Sequence, residues 1–277
     1  MNMNSKLHRR NFIRGAGLAL AGAPALLMGR AVSAPRTFAL IGDRYHNADF
    51  IRVVLDRLFK SLNLPLDFTT DYEELTAKKL SGYQIFVCYR DGMIWPKGYL
   101  GPDAYPYAAG LENSALWPPE KPEPWISEQQ GAAIQEFVRA GNGLYAFHNS
   151  SHISLYSQHF REVVGGAYIG HPALRPFQVR VVKRNHPITK DVGDFVVNDE
   201  QHYVIYDKEP ANIILRSENL DGLRFENHGV ETVAGWAYDY GKGRVVFTAA
   251  GHTLHALWQP EYLTIQKNAV RWLLRMA

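Results

Sequence analysis

Short, continuously apolar runs alternate with segments of helical periodicity in the first half of the chain. The runs 37–43, 83–89 and 143–147 predict buried parallel strands, because strands that are covered on both faces lack polar alternation. Residues 48–62 and 127–140 predict helices, the second with a capping box at its start. The apolar face of the first helix is expected to contain Phe50, Val53, Val54, Leu58 and Leu62. Strand–helix alternation of this kind predicts a doubly wound, mostly parallel sheet.

The second half of the chain is richer in strands. Apolar and polar residues alternate in three segments, over 177–184, 194–198 and 212–218. Residues 232–252 predict a hairpin that turns at Gly241-Lys242-Gly243, and the chain closes in an amphipathic helix over 260–276. Because there is no internal repeat and no linker, the mature chain is expected to form one α/β domain with extra antiparallel strands.

From residue 91 to residue 125 the periodic pattern stops. This stretch is rich in proline, glycine, tyrosine and tryptophan, and a loop of such length in a compact domain is usually functional or disordered. Six of its aromatic residues favour order, because they offer much surface to bury: Trp95, Tyr99, Tyr105, Tyr107, Trp117 and Trp125. Aromatic faces also suit the apolar faces of sugar rings. The alternative interpretation is a packed surface excursion without a binding role.

The first 34 residues are typical of a targeting segment. The sequence RRNFI at residues 9–13 resembles the twin-arginine export signal, and the apolar stretch over 16–28 is shorter than the roughly 20 residues of a membrane span. We expect residues 1–34 to direct export through the twin-arginine route, to the periplasm or otherwise out of the cytoplasm. Residues 35–277 would then form the mature domain, without a membrane segment. The alternative is an uncleaved N-terminal anchor.

The composition argues against several classes of function. With 277 residues, of which 46% are hydrophobic and 21% charged, the chain has the make-up of a globular protein with a sizeable core. A net charge of +3 is too small to indicate binding to nucleic acid. The single cysteine, Cys88, lies inside a predicted strand, so we expect no internal disulfide and a thiol that packs as a small hydrophobe.

Polar residues gather where the predicted strands end. Three separate strands are expected to end in His46, His148 and His252, and ligands of open α/β sheets bind at the carboxyl ends of strands. Further candidates follow other segments: His171, Asp199, Glu200 and His202. Imidazoles with a carboxylate are the ligands that zinc or another divalent transition metal requires. The same side chains could be general acids and bases, and any single one could be a hydrogen-bonded structural residue.

Other catalytic chemistries lack their motifs. A thiol nucleophile would require cysteine after the strand 143–147, where His148 stands instead, and the GxSxG pattern of serine hydrolases is missing there. His148 and His152 are four residues apart, but the segment HNSSH lacks the glutamate of the HExxH zinc motif. No Walker or Rossmann glycine pattern is present, because GGAYIG follows a predicted helix rather than preceding one, so binding of ATP or NAD is not expected.

Several motifs resemble, in sequence order, those of the ThuA-like (trehalose-utilisation) family. They are GNGLYAFHNSSH, VVGGAYIGHP, NHPITKDVGDFVVNDEQHY and VAGWAYDYGKGRVVFTAAGHTLHALWQPEYLTIQKNAVRWLL, and the resemblance spans residues 37–277. It implies a flavodoxin-like three-layer α/β sandwich of the class I glutamine amidotransferase-like superfamily. His148 then takes the position of the amidotransferase cysteine and His252 that of its late histidine, which excludes glutaminase chemistry. The resemblance also implies a role in carbohydrate catabolism, alongside oxidoreductases that make 3-keto-glycosides.

Carried over position by position, the polar motifs of the family fall on His46, His148, His171, Asp199, Glu200, Tyr203 and His252. The segment DEQHY is one residue longer than the usual spacing of the family, so His202 and Tyr203 both stay candidates for facing the site. From these positions we predict an exported, metal-assisted enzyme that acts on a keto-sugar or glycoside by elimination, hydration or hydrolysis.

The predicted roles are specific. A divalent ion, zinc or manganese, is expected on His148, His171, Glu200 and His252. Catalysis is assigned to His148, His252 and Asp199, and substrate binding to His46, Tyr203, Trp95 and Trp117, with Asp199 or His46 as a further support of the metal or a proton shuttle. The partner is a small carbohydrate. One alternative is a non-catalytic carbohydrate-binding protein, another is a hydrolase that uses His148 without metal, and formation of a homo-oligomer is left open.

Overall fold

The computed structural model describes residues 34–96 and 121–276. The predicted export signal, except for its last residue Ala34, and the predicted sugar-contacting Trp117 lie outside the described residues. Among the residues that are described, no helix combines the length and the apolar character needed to cross a membrane.

The described residues form thirteen strands and six α-helices. The strands are β1 Thr37–Ile41, β2 Leu66–Thr69, β3 Ile85–Tyr89, β4 Met93–Ile94, β5 Glu123–Pro124, β6 Gly143–Phe147, β7 Gly166–Gly170, β8 Arg175–Val181, β9 Phe195–Asp199, β10 Tyr203–Tyr206, β11 Ile213–Asn219, β12 Glu231–Tyr240 and β13 Gly243–Thr248. The helices are α1 Ala48–Ser61, α2 Ala77–Leu80, α3 Glu128–Arg139, α4 Gln158–Val164, α5 Leu254–Leu257 and α6 Pro260–Leu273.

Nine of these strands form one sheet, in the order β2-β1-β3-β6-β13-β12-β11-β8-β9. The five strands from β2 to β13 run parallel, so their carboxyl ends lie at the same end of the sheet. The remaining four pair antiparallel, starting with the β12–β13 hairpin, which turns at the predicted glycines. The predicted α/β fold, with a mostly parallel central sheet and extra antiparallel strands in the second half, is confirmed.

The central strands are buried on both faces, as their continuous apolar pattern predicted. Every residue of β1, β3 and β6 is buried, and successive side chains of a strand point to opposite faces, so both faces must be covered. Helix α1 contacts α5 and α6, while α3 contacts α2 and α4. These two groups of helices, with the sheet between them, make a three-layer sandwich.

The apolar face of α1 differs from the expected one. Its buried residues are Ile51, Val54, Leu55, Leu58 and Phe59. Phe50 and Val53, which were predicted on that face, are 55% and 43% exposed. The buried set follows the spacing i, i+3, i+4, i+7, i+8 that one face of a helix can bury, and Phe50 lies about 100° around the helix from Ile51.

Of the three strands expected to end in histidine, only β6 does so directly. His148 follows Phe147 in a left-handed conformation, with φ of 41°, and begins the 3-10 helix His148–Leu155. The expectation is wrong for the other two, because β1 ends at Ile41 and β13 at Thr248, so His46 and His252 lie on loops beyond the strands. All three histidines nevertheless stand at the carboxyl end of the parallel strands.

Candidate metal centre

Four segments, each of which follows a strand, bring three imidazoles and one carboxylate together. His46 follows β1, His148 follows β6, Glu200 follows β9 and His252 follows β13. One ligand atom of each of these four side chains lies within 4.8 Å of the ligand atoms of the other three. Residues as far apart in the chain as His46 and His252 thus contribute to a single cluster. The sheet assembles this cluster, and no local sequence motif could encode it.

The distances within this cluster match those between the ligands of one metal ion. His252 Nδ1 lies 3.2 Å from His46 Nε2 and 3.1 Å from Glu200 Oε2. His148 Nε2 lies 3.6 Å from Glu200 Oε2. A tetrahedral ion with bonds of about 2.0–2.1 Å holds its ligand atoms about 3.3–3.4 Å apart. The four side chains therefore fit a divalent transition-metal ion in both type and spacing.

Hydrogen bonds on the outer side of two rings select the nitrogen that faces the cluster. His148 Nδ1 donates to the carbonyl oxygen of Ala249 at 2.6 Å, and His46 Nδ1 donates to the carboxylate of Asp43 at 2.8 Å. In each neutral ring Nε2 then carries the lone pair that a metal requires. His148 Nε2 is buried and has no hydrogen-bond partner among the described residues, a deficit that a bound cation would satisfy.

The electrostatics favour neutral imidazoles around an ionised carboxylate. Burial lowers the pKa of His148, and burial together with His148 lowers the pKa of His202 well below its usual value. Burial raises the pKa of Glu200, but the imidazoles of His148, His202 and His252 outweigh it, so the pKa of this carboxyl lies well below its usual range. These are the protonation states that metal ligands require.

His252 is the exception among these imidazoles. Burial lowers its pKa, but the hydrogen bond and the charge of Glu200 raise it more, and the net shift is upward. His252 therefore holds a proton more readily than an ordinary histidine does. A metal ion must displace that proton in order to bind Nδ1, which makes binding weaker as the pH falls.

Asp199 joins the loop that carries His252 to the end of β9. Its carboxylate is fully buried and accepts hydrogen bonds from the backbone N–H groups of Gly251 at 2.6 Å, His252 at 3.2 Å and Thr253 at 2.8 Å. Because both oxygens are engaged with the backbone, Asp199 is not placed to touch a substrate. Its predicted catalytic role gives way to a positioning role, in which it holds His252 beside Glu200.

His171 does not belong to the group formed by His46, His148 and His252. The antiparallel pair β7–β10 carries it next to His202, because His171 follows β7 and His202 precedes β10. These two rings form a second group around the same carboxylate, with Nε2 atoms 3.5 Å and 3.4 Å from Glu200 Oε2. His46, predicted to contact the substrate, thus stands where the predicted ligand set had His171.

His202, rather than Tyr203, faces the site. The Tyr203 hydroxyl donates to the carbonyl oxygen of Gly229 at 3.0 Å, and its ring packs against Phe225 with centroids 4.8 Å apart. Adjacent residues at a strand point to opposite sides, so the two candidates could not both face the site. Tyr203, predicted to bind substrate, points away from it.

A cavity of about 1120 Å³ opens in front of Glu200. Trp95, predicted to bind substrate, lines it and meets Tyr45 edge-to-face with ring centroids 5.6 Å apart. Asp91 lines it as well. Burial, together with the charge of Asp43, raises the pKa of Asp91 to about 7. The cavity thus combines aromatic walls with a carboxyl that can accept or donate a proton near neutral pH.

A family model described as trehalose utilisation (ThuA) matches residues 108–273, more than half of the chain. The chain belongs to the ThuA family. This membership confirms the resemblance inferred from the sequence motifs and gives the chain a carbohydrate-related role. None of the curated proteins matches it significantly.

Solved structures show the same fold as this ThuA-family chain. A ThuA-like protein from Bacteroides uniformis has a TM-score of 0.59 at 18% identity, over 91% of this chain and 95% of that one. A ThuA-like protein from Parabacteroides merdae has a TM-score of 0.63 at 15% identity, over 87% and 90%. A β-galactosidase from Rahnella sp. R3 matches at 0.53 and 12% identity over 89% of this chain but only 32% of its own length.

Several residues of the site in this ThuA-family chain escaped the sequence analysis. Asp91 stands just beyond the end of β3, a position where the rule applied to the histidines could have found it. Asn149, next to His148, donates to the carboxylate of Asp43 and so supports the ring of His46. Tyr168 lines the cavity from the middle of β7, where no sequence signal distinguishes it from a packing residue.

Proposed function

We propose that this ThuA-family chain is an exported, divalent-metal enzyme that acts on a keto-sugar or glycoside. The observation that carries the proposal is the buried Nε2 of His148, which has no hydrogen-bond partner within residues 34–96 and 121–276 and stands with His46, Glu200 and His252 at the spacing of metal ligands. Export rests on the twin-arginine-type sequence at residues 9–13. The carbohydrate class rests on membership of the ThuA family and on the aromatic lining of the cavity.

The proposed ligands are His46 Nε2, His148 Nε2, Glu200 and His252 Nδ1. When bound there, zinc or manganese would supply Lewis-acid polarisation of a carbonyl or hydroxyl oxygen of the sugar. Asp43 and the carbonyl of Ala249 orient the rings of His46 and His148, as acceptors on the outer side of metal-binding histidines commonly do.

The proton transfer falls to Asp91 in this proposal. A keto group acidifies the C–H bond next to it, and a carboxyl with a pKa of about 7 divides its time between acid and base at neutral pH. In an elimination the Asp91 carboxylate takes the proton, the electron pair of the broken C–H bond forms the new C=C bond, and the C–O bond to the leaving group breaks. The leaving oxygen departs as an alcohol with the proton that Asp91 has gained. The same group could activate water for hydration or hydrolysis, so its position supports all three reactions.

The sugar would lie between the metal and the aromatic wall. Trp95 and Tyr45 line the cavity with Tyr156 and Tyr168, and such rings pack against the apolar faces of sugars while their polar atoms meet hydroxyl groups. A volume of about 1120 Å³ is slightly above the roughly 300–1,000 Å³ of small-molecule sites, which leaves room for a substituted sugar.

A metal-free carbohydrate-binding protein is the second candidate. It is favoured by the contact of 3.1 Å between His252 Nδ1 and Glu200, with the pKa of His252 raised despite its burial, because these two side chains could form an ion pair without any metal. In that case the histidines would be hydrogen-bond partners of the ligand, and turnover would be absent.

Two measurements on full-length protein without a histidine tag test the proposal. Elemental analysis should find at least one equivalent of transition metal, lost in His148→Ala and kept in His186→Ala, which changes a histidine outside the cavity. A 3-keto-glycoside should be consumed by the wild type, and Asp91→Asn should lose this turnover while it keeps the metal. Substoichiometric metal that does not respond to His148→Ala would contradict the metal enzyme, and an unchanged 3-keto-glycoside would favour the binding protein.

A further inference from the structure

Glu200 has more imidazole neighbours than one carboxylate oxygen can use as hydrogen-bond donors. Oε2 lies 3.1 Å from His252, 3.4 Å from His202, 3.5 Å from His171 and 3.6 Å from His148. A carboxylate oxygen has two lone pairs, and good N–H···O bonds are about 2.7–3.2 Å long. Three of the four distances are longer than that and close to the ligand–ligand spacing of about 3.3–3.4 Å around a tetrahedral ion.

The ring of His171 presents a lone pair to Glu200. Its Nδ1 donates to the carbonyl oxygen of Pro172 at 2.9 Å, which leaves Nε2 as the acceptor in the neutral ring. His148 is in the same situation, because its Nδ1 donates to Ala249. Two imidazole lone pairs that point at an ionised carboxylate repel it, unless positive charge lies between them. A proton on each ring would remove this repulsion, but burial lowers the pKa of His148; a divalent cation on each side of Glu200 removes it while the rings stay neutral.

The neighbours of Glu200 divide into two sets. His46, His148 and His252 form one, and His171 with His202 the other, while Glu200 belongs to both. The rings of His171 and His202 are nearly parallel, 18° apart, and their Nε2 atoms both lie near Glu200 Oε2, at 3.5 Å and 3.4 Å. His148 and His202, one from each set, stack with centroids 3.7 Å apart. Two ions bound by these sets would therefore be immediate neighbours, as in two-metal sites, where the ions are about 3.5–4 Å apart.

We propose that Glu200 bridges two divalent metal ions, one on His46, His148 and His252 and a second on His171 and His202. This inference rests on the proposed function and extends its metal site. The second set offers only three protein ligands and the side chain of His171 is 29% exposed, so the second ion keeps open positions toward the cavity and exchanges more readily than the first.

The open positions of the second ion indicate the class of substrate. Two adjacent ions that face a cavity bind a ligand with two neighbouring oxygen atoms, one on each ion; the first ion, which has four protein ligands, would become five-coordinate to do so. A vicinal diol or an α-hydroxyketone, the groups that a keto-sugar carries, has this spacing. We therefore expect sugars that lack one oxygen of such a pair to bind less tightly, because they can contact only one of the two ions.

The experiment is a metal titration of full-length protein that has been stripped with a chelator and carries no histidine tag. Zn²⁺ is added under calorimetry, and the bound metal is counted by elemental analysis after desalting. We expect two ions in the wild type, one in His171→Ala and two in His152→Ala, the matched control, whose ring lines the same cavity outside both sets. Thermal melting of the stripped variants checks that they are folded.

A second measurement does not depend on any variant. With two equivalents of Mn²⁺ the wild type should give the electron paramagnetic resonance signal of a spin-coupled pair, which requires ions a few ångströms apart. One ion in the wild type, lost in His46→Ala, overturns the bridged pair and leaves the proposed function standing. Two ions in both wild type and His171→Ala, or two uncoupled Mn²⁺ ions, overturn the placement. No bound ion at all overturns both proposals.

Discussion

Replacing Asp199 by asparagine should show whether this carboxylate holds the loop of His252 in place for metal binding. The Asp199 carboxylate is fully buried and accepts three backbone N–H groups, two on Oδ2 from Gly251 and His252 and one on Oδ1 from Thr253. Asparagine has nearly the same shape, but it keeps a single acceptor oxygen. In the more favourable orientation of the asparagine side chain, the amide oxygen accepts the hydrogen bonds from Gly251 and His252. The amide NH₂ group then faces the N–H of Thr253, which is left without an acceptor.

The expected loss of stability follows from this count. A hydrogen bond to a charged group contributes about 1.5–3 kcal/mol, and a buried donor without a partner costs about 1–3 kcal/mol. For one lost bond, and weaker bonds to the remaining two N–H groups, we expect Asp199→Asn to lower the free energy of unfolding by about 2–4 kcal/mol. Because the affected loop carries His252, we also expect affinity for Zn²⁺ to fall by about 10–100-fold, as it does when a group that orients a ligand is lost.

Urea denaturation in the presence of a chelator measures the first quantity, and calorimetric titration of the stripped protein with Zn²⁺ measures the second. Asp239→Asn is the control, because this side chain is 69% exposed and should change stability by less than about 0.5 kcal/mol. If Asp199→Asn matched the wild type in both assays, the reasoning would be refuted. Lower stability with unchanged affinity for Zn²⁺ would leave Asp199 a structural residue without influence on His252.

Three other predictions test separate parts of the structure. The pKa of Asp91, about 7 in the native state against about 4 unfolded, means that the native state binds more protons between these values, so Asp91 by itself should lower the unfolding free energy by about 4 kcal/mol from pH 4 to pH 8. Asp91→Asn, measured by urea denaturation in a chelator, should lose this decline; an unchanged slope would contradict it. Gly251→Ala places a Cβ against the Tyr89 hydroxyl and 2.9 Å from His148 Cβ, and should cost about 1–3 kcal/mol; wild-type stability in urea would argue against this contact. Burial raises the pKa of Cys88 to about 12, so a thiol reagent should label it only in denaturant, and rapid labelling of native protein would disagree.

The elements that sequence could predict are those whose pattern is local. β1, β3 and β6 are continuously apolar because both faces of the central sheet are covered, and that requirement is written into each strand separately. The capping box of α3 and the glycine turn of the β12–β13 hairpin are likewise set within a few residues. The face of α1 was harder, since two neighbouring stripes of that helix are both apolar and only the sheet decides which one is buried.

The site was predicted in part, for an identifiable reason. His148 and His252 could be found because each was expected at the end of a strand, and Glu200 because it follows an alternating segment within a motif that resembles those of the ThuA family. His46 and His171 were placed in each other's roles, because both follow strands and nothing local shows which one approaches His252. Asp199 was expected in catalysis, although its carboxylate is used up by backbone N–H groups from a loop 52 to 54 residues later in the chain.

The amino-acid sequence by itself determined the alternation of strands and helices, the family, and the kinds of side chain available at the strand ends. These properties depend on residues within one turn of a helix or a few positions of a strand. Residues that are this close in the sequence are also close in the structure. Only the tertiary structure decided that His46, His148 and His252 meet one side of Glu200 while His171 and His202 meet the other. That division depends on strand order and on the β7–β10 pairing, which join segments far apart in the chain, and differences of an ångström there determine which atoms can share an ion.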